Sequence, residues 1–217
     1  MGLPAQAKIA DLGCGTGTTA LMLARDFDFH VSAIDISSIN IERAVERAEL
    51  DDISVQFSQA DAHELPFYDG ELDAVLAECT FSLFSDQTTV LAEIKRVLKP
   101  GGCLAITDMA TGGVLADDIA EILAPWTCLA TAVDQASYSK MFMAAGFEIR
   151  SLADESTGLL SLIKTLKRKL LLLGTGALLA NHDLQGFDLA TIKFWLDRFE
   201  MEVKQGNVRY LHFNLKL

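Results

Sequence analysis

The chain has 217 residues, half of them hydrophobic, and a formal net charge of −12. That length suits one domain with a sizeable core, and the charge argues against general nucleic-acid binding, which needs a basic surface. The charge is uneven, because residues 1–159 carry 9 Lys/Arg and 25 Asp/Glu, whereas residues 160–217 carry 9 Lys/Arg and 5 Asp/Glu. The C-terminal part is therefore a separate compositional unit.

Short apolar runs alternate with helical patterns along the first 150 residues. The predicted strands are Lys8–Leu12, Phe29–Ile36, Val55–Ala60, Leu72–Ala77, Cys103–Thr107 and Phe147–Leu152. The predicted helices are Thr18–Asp26, Ile39–Leu50, Thr88–Leu98 and Ser137–Ala145. Alternation of this kind predicts an α/β fold with a parallel sheet covered on both faces.

The C-terminal part departs from this alternation. Two predicted helices, Leu159–Leu173 and Ala190–Lys204, precede a last strand, Val208–Leu215. Because a direct connection between the last two strands needs only a few residues, residues 156–205 are predicted to be a helical insertion in a single domain spanning 1–217. Its most apolar stretch is a poor membrane span because it contains four cations, Lys164, Lys167, Arg168 and Lys169.

The strongest motif is Asp11-Leu12-Gly13-Cys14-Gly15-Thr16-Gly17, which follows a strand and opens a helix. Its glycines permit a tight turn and close approach to a ligand, and the helix N-terminus offers N–H groups to an anion. A dinucleotide fingerprint has the pattern G-x-G-x-x-G, whereas here the third glycine comes one residue early and Thr18 follows. An oxidoreductase that uses a nicotinamide or flavin cofactor is therefore less favoured.

Two further acids follow predicted strands. Asp35 ends the second strand, where a carboxylate can accept hydrogen bonds from ribose hydroxyls, although it can also balance a helix dipole. Asp61 follows the third strand, where a carboxylate can accept a bond from an adenine amino group, or be a surface turn acid. The apolar residues Ile36 and Ala62 can sandwich a flat ring.

Several segments together resemble class I S-adenosylmethionine-dependent methyltransferases, in particular the branch that methylates small molecules. The matching segments are Asp11–Gly17, Asp35, Gln59–Ala62, Leu72–Leu76, Ile94–Gly102 and Ala144–Glu148. The resemblance implies a doubly wound, Rossmann-like sheet of seven strands in the order 3-2-1-4-5-7-6, with strand 7 antiparallel. Two departures are the roughly seven residues before the first strand and the helical insertion, which is predicted to be a lid over the acceptor site.

The resemblance also implies the cofactor and the residues that bind it. S-adenosyl-L-methionine is the expected cofactor and S-adenosyl-L-homocysteine the expected product. Asp11 and the glycines are expected to line the methionine part, Asp35 the ribose, and Asp61 with Ala62 the adenine. The expected binding set is Asp11, Gly13, Cys14, Gly15, Gly17, Asp35, Ile36, Asp61, Ala62 and Glu78.

Methyl transfer from a sulfonium is an in-line displacement, so the protein mainly aligns the nucleophile and excludes water. Three acid–base candidates are Glu78, Asp108 and His182. For Glu78 and Asp108 a solvated surface acid is an equally good interpretation, and for His182 a lone exposed histidine is the more common case. Cys79 is a soft ligand for a metalloid, a nucleophile or, more commonly, a small packed residue. Phe81 and Phe84 either wall the acceptor pocket or belong to the core.

The leading hypothesis is methyl transfer to a small-molecule acceptor by a cytoplasmic enzyme, a monomer or homodimer without a membrane span. One alternative is a catalytically inactive methyltransferase-like domain that works through partners. Another is a methyltransferase that contacts a membrane surface through the basic cluster at residues 164–169 and acts on a lipophilic acceptor. No metal is expected, because the four histidines show no ligand spacing.

Overall fold

The computed structural model describes residues 2–113, 128–174 and 189–217. Its strands are β1 (Lys8–Leu12), β2 (His30–Asp35), β3 (Gln56–Gln59), β4 (Leu72–Glu78), β5 (Leu98–Thr111), β6 (Glu148–Asp154) and β7 (Val208–Lys216). Its described helices are α1 (Thr18–Phe27), α2 (Ser38–Asp51), α3 (Gln87–Val97), α4 (Gln135–Ala144), α5 (Ser156–Gly174) and α6 (Leu189–Gln205).

The strands form one seven-stranded sheet in the order β3-β2-β1-β4-β5-β7-β6, with β7 antiparallel. β1 pairs in parallel with both β2 and β4, β2 pairs with β3, and β4 pairs with β5. The α/β class and the strand order expected from the resemblance are confirmed. Connections through helices such as α1 and α2 are what parallel pairing requires.

The central strands are apolar because side chains on both of their faces are buried. In β1, Ile9, Ala10 and Leu12 have no exposed surface, and in β4 the same is true of Val75 and Ala77. A strand covered on both faces reads as a continuous apolar run rather than an alternating one. That is why these two strands were predicted almost to the residue.

The main difference from prediction is β5, which is longer at both ends than the predicted Cys103–Thr107. It begins at Leu98, which pairs with Leu72, and the register shifts before Cys103 pairs with Ala74. The Pro-Gly-Gly sequence, which was predicted to end the preceding helix, therefore lies in an irregular part of the strand rather than before it. At the other end β5 continues to Thr111.

Two helices next to the glycine turn begin in different ways. Ser37 caps α2, because its side chain accepts a hydrogen bond from the backbone N–H of Asn40. Helix α1 has no side-chain cap and starts directly after Gly17, whose φ is 77°. The N–H groups of the first turn of an α-helix have no partner within that helix, so α1 can offer its own to a ligand or to a neighbouring carboxylate.

The chain divides into two compact units. One comprises residues 1–108, 136–153 and 212–217, and the other residues 109–135 and 154–211. In the second unit α5 packs against α6, and both helices bury apolar residues, including Ile163 and Phe199. A search of the described helices finds none with the length and apolar character needed to cross a membrane.

Candidate active site

Strand register brings the first set of candidate residues to one level of the sheet. Leu12 lies opposite both Ile34 and Ala77 in the neighbouring strands. The residues that follow these three, Gly13, Asp35 and Glu78, therefore stand side by side where β1, β2 and β4 end. Open α/β sheets bind their ligands at this carboxyl edge.

The glycine turn needs its glycines for two different reasons. Gly13, Gly15 and Gly17 all have positive φ, from 54° to 77°, where other residues are strained. A Cβ on Gly13 would lie 2.1 Å from Oγ1 of Thr80, and a Cβ on Gly17 would lie 2.9 Å from the ring of Phe57. A Cβ on Gly15 would meet nothing within 4 Å. Packing thus requires the outer two glycines, whereas the middle one faces open space.

Asp35 fastens the turn to the second strand. Its Oδ2 accepts a hydrogen bond from the backbone N–H of Gly15 at 2.8 Å, and its Oδ1 accepts bonds from the backbone N–H of Ser37 and the side chain of Asn40. A carboxylate has about four acceptor positions, so only limited capacity remains for a ligand hydroxyl. Asp35 therefore has a structural role that its predicted contact with ribose did not include.

Asp11 is a buried carboxyl group next to other acids. Burial raises its pKa to about 7, and the charges of Glu78 and Asp35 contribute to the rise, against a hydrogen bond from the backbone of Ala20 that lowers it. Its Oδ2 is buried and has no hydrogen-bond partner among the described residues. A buried polar atom without a partner costs free energy, which makes Asp11 a marker of a site that a ligand completes.

The adjacent thiol, Cys14, is held in its neutral form. Burial raises the pKa of Cys14 to about 12, with further contributions from the charges of Asp11 and Asp35. A thiolate nucleophile is therefore disfavoured at this position, because reactive cysteines need a lowered pKa. The role of Cys14 is to continue the turn, where its backbone N–H donates to the carbonyl of Ile34 at 2.9 Å.

Glu78 ends β4 and is exposed at the same edge. It accepts a hydrogen bond from Oγ1 of Thr19 in the first turn of α1, at 2.7 Å. The next residue, Cys79, has a φ of 55°, which is unusual for a residue other than glycine, and its backbone N–H donates to the carbonyl of Thr107 at 2.7 Å. Strained backbone of this kind clusters at functional sites.

Asp108 is buried, so its interpretation as a surface acid is wrong. It has 1% of its surface exposed and accepts hydrogen bonds from the backbone N–H of Ser82 at 2.7 Å and from the Ser82 hydroxyl at 3.1 Å. Because β5 continues past it, Asp108 lies within the strand rather than at its end. Its observed contacts fix the segment that follows Cys79.

Phe81 belongs to the core rather than to a pocket wall. It is fully buried and lies among aromatic rings, with centroids 5.4 Å from Phe142, 6.3 Å from Tyr138 and 6.1 Å from Phe84. Phe84 is half-buried and packs edge-on against His63. His182 lies outside the described residues, as do residues 175–188 as a whole.

Asp61 lies on an exposed turn after β3, beside the buried Ala62. Its Oδ1 accepts bonds from the backbone N–H of His63 at 2.9 Å and pairs with Nδ1 of the same histidine at 2.6 Å. These bonds lower the pKa of Asp61, so it stays ionised. Ile36 is 70% exposed, an unusual position for a large apolar side chain at the end of a buried strand.

Four polar residues of the site were not found from the sequence: Thr19, Asn40, Thr80 and Ser82. Thr19, Asn40 and Ser82 donate hydrogen bonds to Glu78, Asp35 and Asp108, and Thr80 fills the space that a Cβ on Gly13 would need. Only Thr19 carried a signal, because it lies in the first turn of a helix that follows a glycine turn. The contact of Asn40 depends on the direction of its side chain at the start of α2, and those of Thr80 and Ser82 depend on how the strands pair.

Residues 9–102 match the family model described as a methyltransferase domain. The match covers β1 to the start of β5, which includes the glycine turn and the acids at the ends of β2, β3 and β4. Over these residues the chain is a methyltransferase domain of class I.

Other methyltransferases and one cyclase resemble this methyltransferase chain. Methyltransferase GfsG of Streptomyces halstedii is 34% identical over 157 residues, which are 69% of this chain and 55% of that protein. The structure of Haemonchus contortus phosphoethanolamine N-methyltransferase 2 with S-adenosyl-L-methionine matches with a TM-score of 0.84 at 20% identity, covering 99% of this chain and 49% of the other. The [4+2]-cyclase SpnF matches with a TM-score of 0.77 at 25% identity, covering 99% and 75%.

The sequence matches and the structural matches cover different shares of this chain and of the related proteins. The chain spans about half the length, or less, of the curated relatives it resembles, such as 55% of GfsG and 40% of the 27-O-demethylrifamycin SV methyltransferase of Amycolatopsis mediterranei. The sequence matches centre on the cofactor half of the methyltransferase, whereas the structural matches extend over nearly the whole chain. The shared part is therefore the cofactor fold, and the acceptor is a separate question.

Proposed function

We propose that this methyltransferase transfers a methyl group from S-adenosyl-L-methionine to a small-molecule acceptor and releases S-adenosyl-L-homocysteine. The observation that carries the proposal is the edge formed by Gly13, Asp35 and Glu78, with Asp11 buried beside it, whose Oδ2 has no hydrogen-bond partner among the described residues. Three acids at one strand edge favour a cationic ligand, and the cofactor carries both a sulfonium and an ammonium group.

The residues present fit this cofactor. The open space at Gly15 leaves room for the methionine part, and the negative charge of Asp11 and Glu78 suits its ammonium group. The remaining acceptor capacity of Asp35 suits a ribose hydroxyl. Ile36, exposed and apolar, together with Ala62 suits the faces of an adenine ring, and Asp61 suits its amino group.

The cofactor supplies an activated methyl group when bound, so the chain mainly contributes alignment and exclusion of water. Thr19 orients Glu78, and Asp108 fixes the segment that begins at Cys79 through its two bonds to Ser82. We propose Glu78 as the acid–base candidate because its carboxylate is exposed at the edge. Asp108 acts by positioning, and a role of His182 as base stays a prediction.

A binding experiment tests the proposal. S-adenosyl-L-homocysteine at 100 times its Kd should stabilise the wild-type protein by about 2.7 kcal/mol. Asp35→Asn keeps much of the side chain's shape but weakens its acceptor, so the ligand-induced shift should shrink. Glu49→Gln, an exposed residue of α2, is the control. Stabilisation by NAD with no response to S-adenosyl-L-homocysteine would instead favour an oxidoreductase.

A second experiment tests transfer itself. Protein is incubated with methyl-labelled cofactor and a small-molecule extract, and label is followed into the fraction below about 1 kDa. Label in that fraction supports an enzyme. Cofactor binding without transfer to any acceptor supports an inactive methyltransferase-like domain, or other chemistry on the same fold. The similarity to a protein named as a [4+2]-cyclase gives that second outcome a specific basis.

The charge of α5 favours a related candidate, a methyltransferase that contacts an anionic membrane surface and acts on a lipophilic acceptor. This 19-residue helix contains no Asp or Glu. Lys164, Arg168 and Lys169 are exposed and make no ion pair with any described residue, and Leu162 and Leu166 are exposed beside them. Basic and apolar side chains on one exposed helix are typical of lipid-surface contact.

Vesicle sedimentation tests this candidate. Wild-type protein should bind vesicles containing phosphatidylglycerol more strongly than pure phosphatidylcholine vesicles, and added salt should weaken the binding. The variant Lys164→Gln/Arg168→Gln/Lys169→Gln should lose the preference. The matched control Arg43→Gln/Lys140→Gln/Lys193→Gln removes the same charge from other exposed positions. Equal loss in both variants would show a general charge effect, not a docking helix.

We also propose that residues 156–205 act as a lid for the acceptor and that the enzyme is cytoplasmic and a monomer or homodimer. The lid proposal is supported by the two packed helices α5 and α6, which separate β6 from β7 in the chain. Replacing residues 156–205 with a short glycine–serine linker should weaken acceptor binding and leave S-adenosyl-L-homocysteine binding unchanged. Unchanged acceptor affinity would contradict the lid. Analytical ultracentrifugation reports the oligomeric state.

A further inference from the structure

We infer that His63 is a positioning residue, which fixes the carboxylate of Asp61 from one side while being held from the other by the segment before α3. The inference rests on the proposed function, because it assigns Asp61 to the adenine amino group. It concerns base recognition, and no acceptor needs to be known to test it.

The contact with Asp61 uses a single carboxylate oxygen. Both the backbone N–H of His63 and its ring Nδ1 meet Oδ1 of Asp61, at 2.9 Å and 2.6 Å. Within the described parts of the chain, Oδ2 of Asp61 accepts no hydrogen bond. The carboxylate is thus oriented by one oxygen and keeps the other for a ligand that donates a hydrogen bond.

The contacts on the other side of the ring determine its tautomer. Nε2 of His63 lies 3.3 Å from the backbone nitrogen of Asp86 and 3.3 Å from the Ser85 hydroxyl. A backbone N–H can only donate, so Nε2 must be the unprotonated acceptor. The ring proton then resides on Nδ1, where it donates to Asp61. Each nitrogen of a neutral imidazole therefore has a partner suited to it.

The residue that holds the outer side of the ring also begins a helix. Asp86 caps α3, because its side chain accepts bonds from the backbone N–H groups of Thr88 and Thr89 at 3.1 Å. Phe84 packs edge-on against the imidazole with ring centroids 6.4 Å apart. Asp61 itself lies on an exposed turn and would otherwise sample several rotamers. Holding it in one rotamer avoids an entropy cost on binding.

Two substitutions of His63 remove the contacts of its two ring nitrogens one at a time. His63→Asn places an amide N–H near the position of Nδ1, so it can keep the bond to Asp61 while losing the link to Asp86. His63→Gln places an amide oxygen near the position of Nε2, so it can keep the link to Asp86 while losing the bond to Asp61. His30→Gln, at an exposed position in β2, is the control for loss of a histidine.

The measurement is the Kd of S-adenosyl-L-homocysteine and of its inosine analogue, in which a carbonyl replaces the adenine amino group. Wild-type protein should prefer the adenine form. His63→Gln should weaken adenine binding by about tenfold, the value of one hydrogen bond, and reduce the preference, as should Asp61→Asn. His63→Asn should retain most of both. A purely structural role would weaken both ligands equally and leave the preference unchanged.

The outcomes are distinguishable. No binding of S-adenosyl-L-homocysteine by the wild-type protein would overturn the proposed function, and the role of His63 with it. If the wild-type protein binds and Asp61→Asn loses the preference for adenine, but His63→Gln keeps wild-type affinity and preference, the positioning role alone is overturned. Thermal unfolding of each variant confirms that it is folded; if His63→Gln does not fold, His63→Ala, which also loses the bond to Asp61, takes its place.

Discussion

The charged side chains of the two compact units have opposite surroundings: like charges in the first and opposite charges in the second. At the strand edge of the first unit, the carboxyl of Asp11 lies near the like charges of Glu78 and Asp35, and burial raises its pKa to about 7. In the second unit, Lys167 lies between Asp197 and Glu200, and hydrogen bonds from Lys167 and Lys204 lower the pKa of Glu200 to about 2. Uncompensated charge marks a place that a ligand completes, whereas compensated charge marks packing between helices.

This contrast also separates stability from function. A like-charged cluster costs free energy in the unliganded fold, and a bound cation relieves that cost. An ion pair between helices gives a small gain that needs no ligand. Neutralising Asp11 should therefore raise stability and weaken cofactor binding, whereas substitutions between α5 and α6 should change stability alone.

The largest expected effect follows Asp11→Asn. In the unfolded chain the carboxyl ionises near its ordinary pKa of 3.8, and in the folded protein near 7. Between those values the unfolded state binds fewer protons, so rising pH destabilises the fold across this window, and the penalty is complete above pH 7. Asparagine removes it, and the unliganded variant should be more stable at pH 8 by up to about 4 kcal/mol.

Urea unfolding at pH 5 and pH 8 measures this effect, with S-adenosyl-L-homocysteine binding as the second readout. The amide oxygen of the substituted side chain can still accept the bond from the backbone of Ala20, so loss of that contact is not expected. The variant should bind the ligand more weakly although it is more stable. A variant that is less stable than wild type at both pH values would refute the view that Asp11 is held at a cost.

A pair of glycine substitutions should give the next largest effect. Gly13→Ala must accommodate a Cβ 2.1 Å from Oγ1 of Thr80 at a positive φ, so it should lose about 3 kcal/mol of unfolding free energy. Gly15→Ala has the same backbone strain but no neighbour within 4 Å, and should lose only about 1 kcal/mol. Its methyl group enters the open space, so ligand affinity should fall.

The double variant Gly13→Ala/Thr80→Ser tests the cause. Serine removes the methyl group of Thr80 that lies 2.9 Å from the added Cβ, and its hydroxyl can rotate away. Part of the lost stability should return. If Gly15→Ala binds S-adenosyl-L-homocysteine as well as wild type does, the space beside Gly15 is not the ligand site, and the proposed placement of the methionine part is wrong.

The sequence predicted the parts of the fold that depend on local pattern. β1 and β4 are continuous apolar runs because both faces are buried, and the turn from Gly13 to Gly17 needs residues that tolerate positive φ. The bounds of β5 were wrong because its first pairing, between Leu98 and Leu72, lies across an irregularity that no local signal marks. Pairing between distant segments is not encoded in periodicity.

In the candidate site, too, the features that depend on local pattern were predicted and those that depend on distant contacts were missed. Asp11, Asp35 and Asp61 were predicted from their places at the ends of strands, and the first two lie close enough that the charge of Asp35 raises the pKa of Asp11. The partners that hold these acids were missed, since the bond from Asn40 to Asp35 and the contact of His63 with Asp86 arise from side-chain directions in the folded chain. Composition likewise could not show that Asp108 is buried.

The smallest expected effect is at Lys167, where a substitution tests whether charge compensation stabilises the second unit. Lys167 is largely buried between α5 and α6, whereas Lys164, one turn earlier on α5, is exposed. Lys167→Met keeps the apolar stem and removes the ion pairs of Lys167 with Asp197 and Glu200, while Lys204 stays paired with Glu200, so it should lose about 1 kcal/mol. Lys164→Met should change stability by less than about 0.5 kcal/mol. Neither should alter S-adenosyl-L-homocysteine affinity.

The chain has two tryptophans, so Trp126→Phe leaves Trp195 in α6 as a local fluorescence probe of unfolding. Because the folded pKa of Glu200 is depressed, its contribution is complete above the ordinary value of 4.5 and is lost as pH falls toward about 2. The difference between wild type and Lys167→Met should therefore shrink between pH 6 and pH 3, and also in high salt. A difference that persists in acid would mean that Lys167 stabilises the helices by packing, and that charge compensation does not distinguish the second unit from the first.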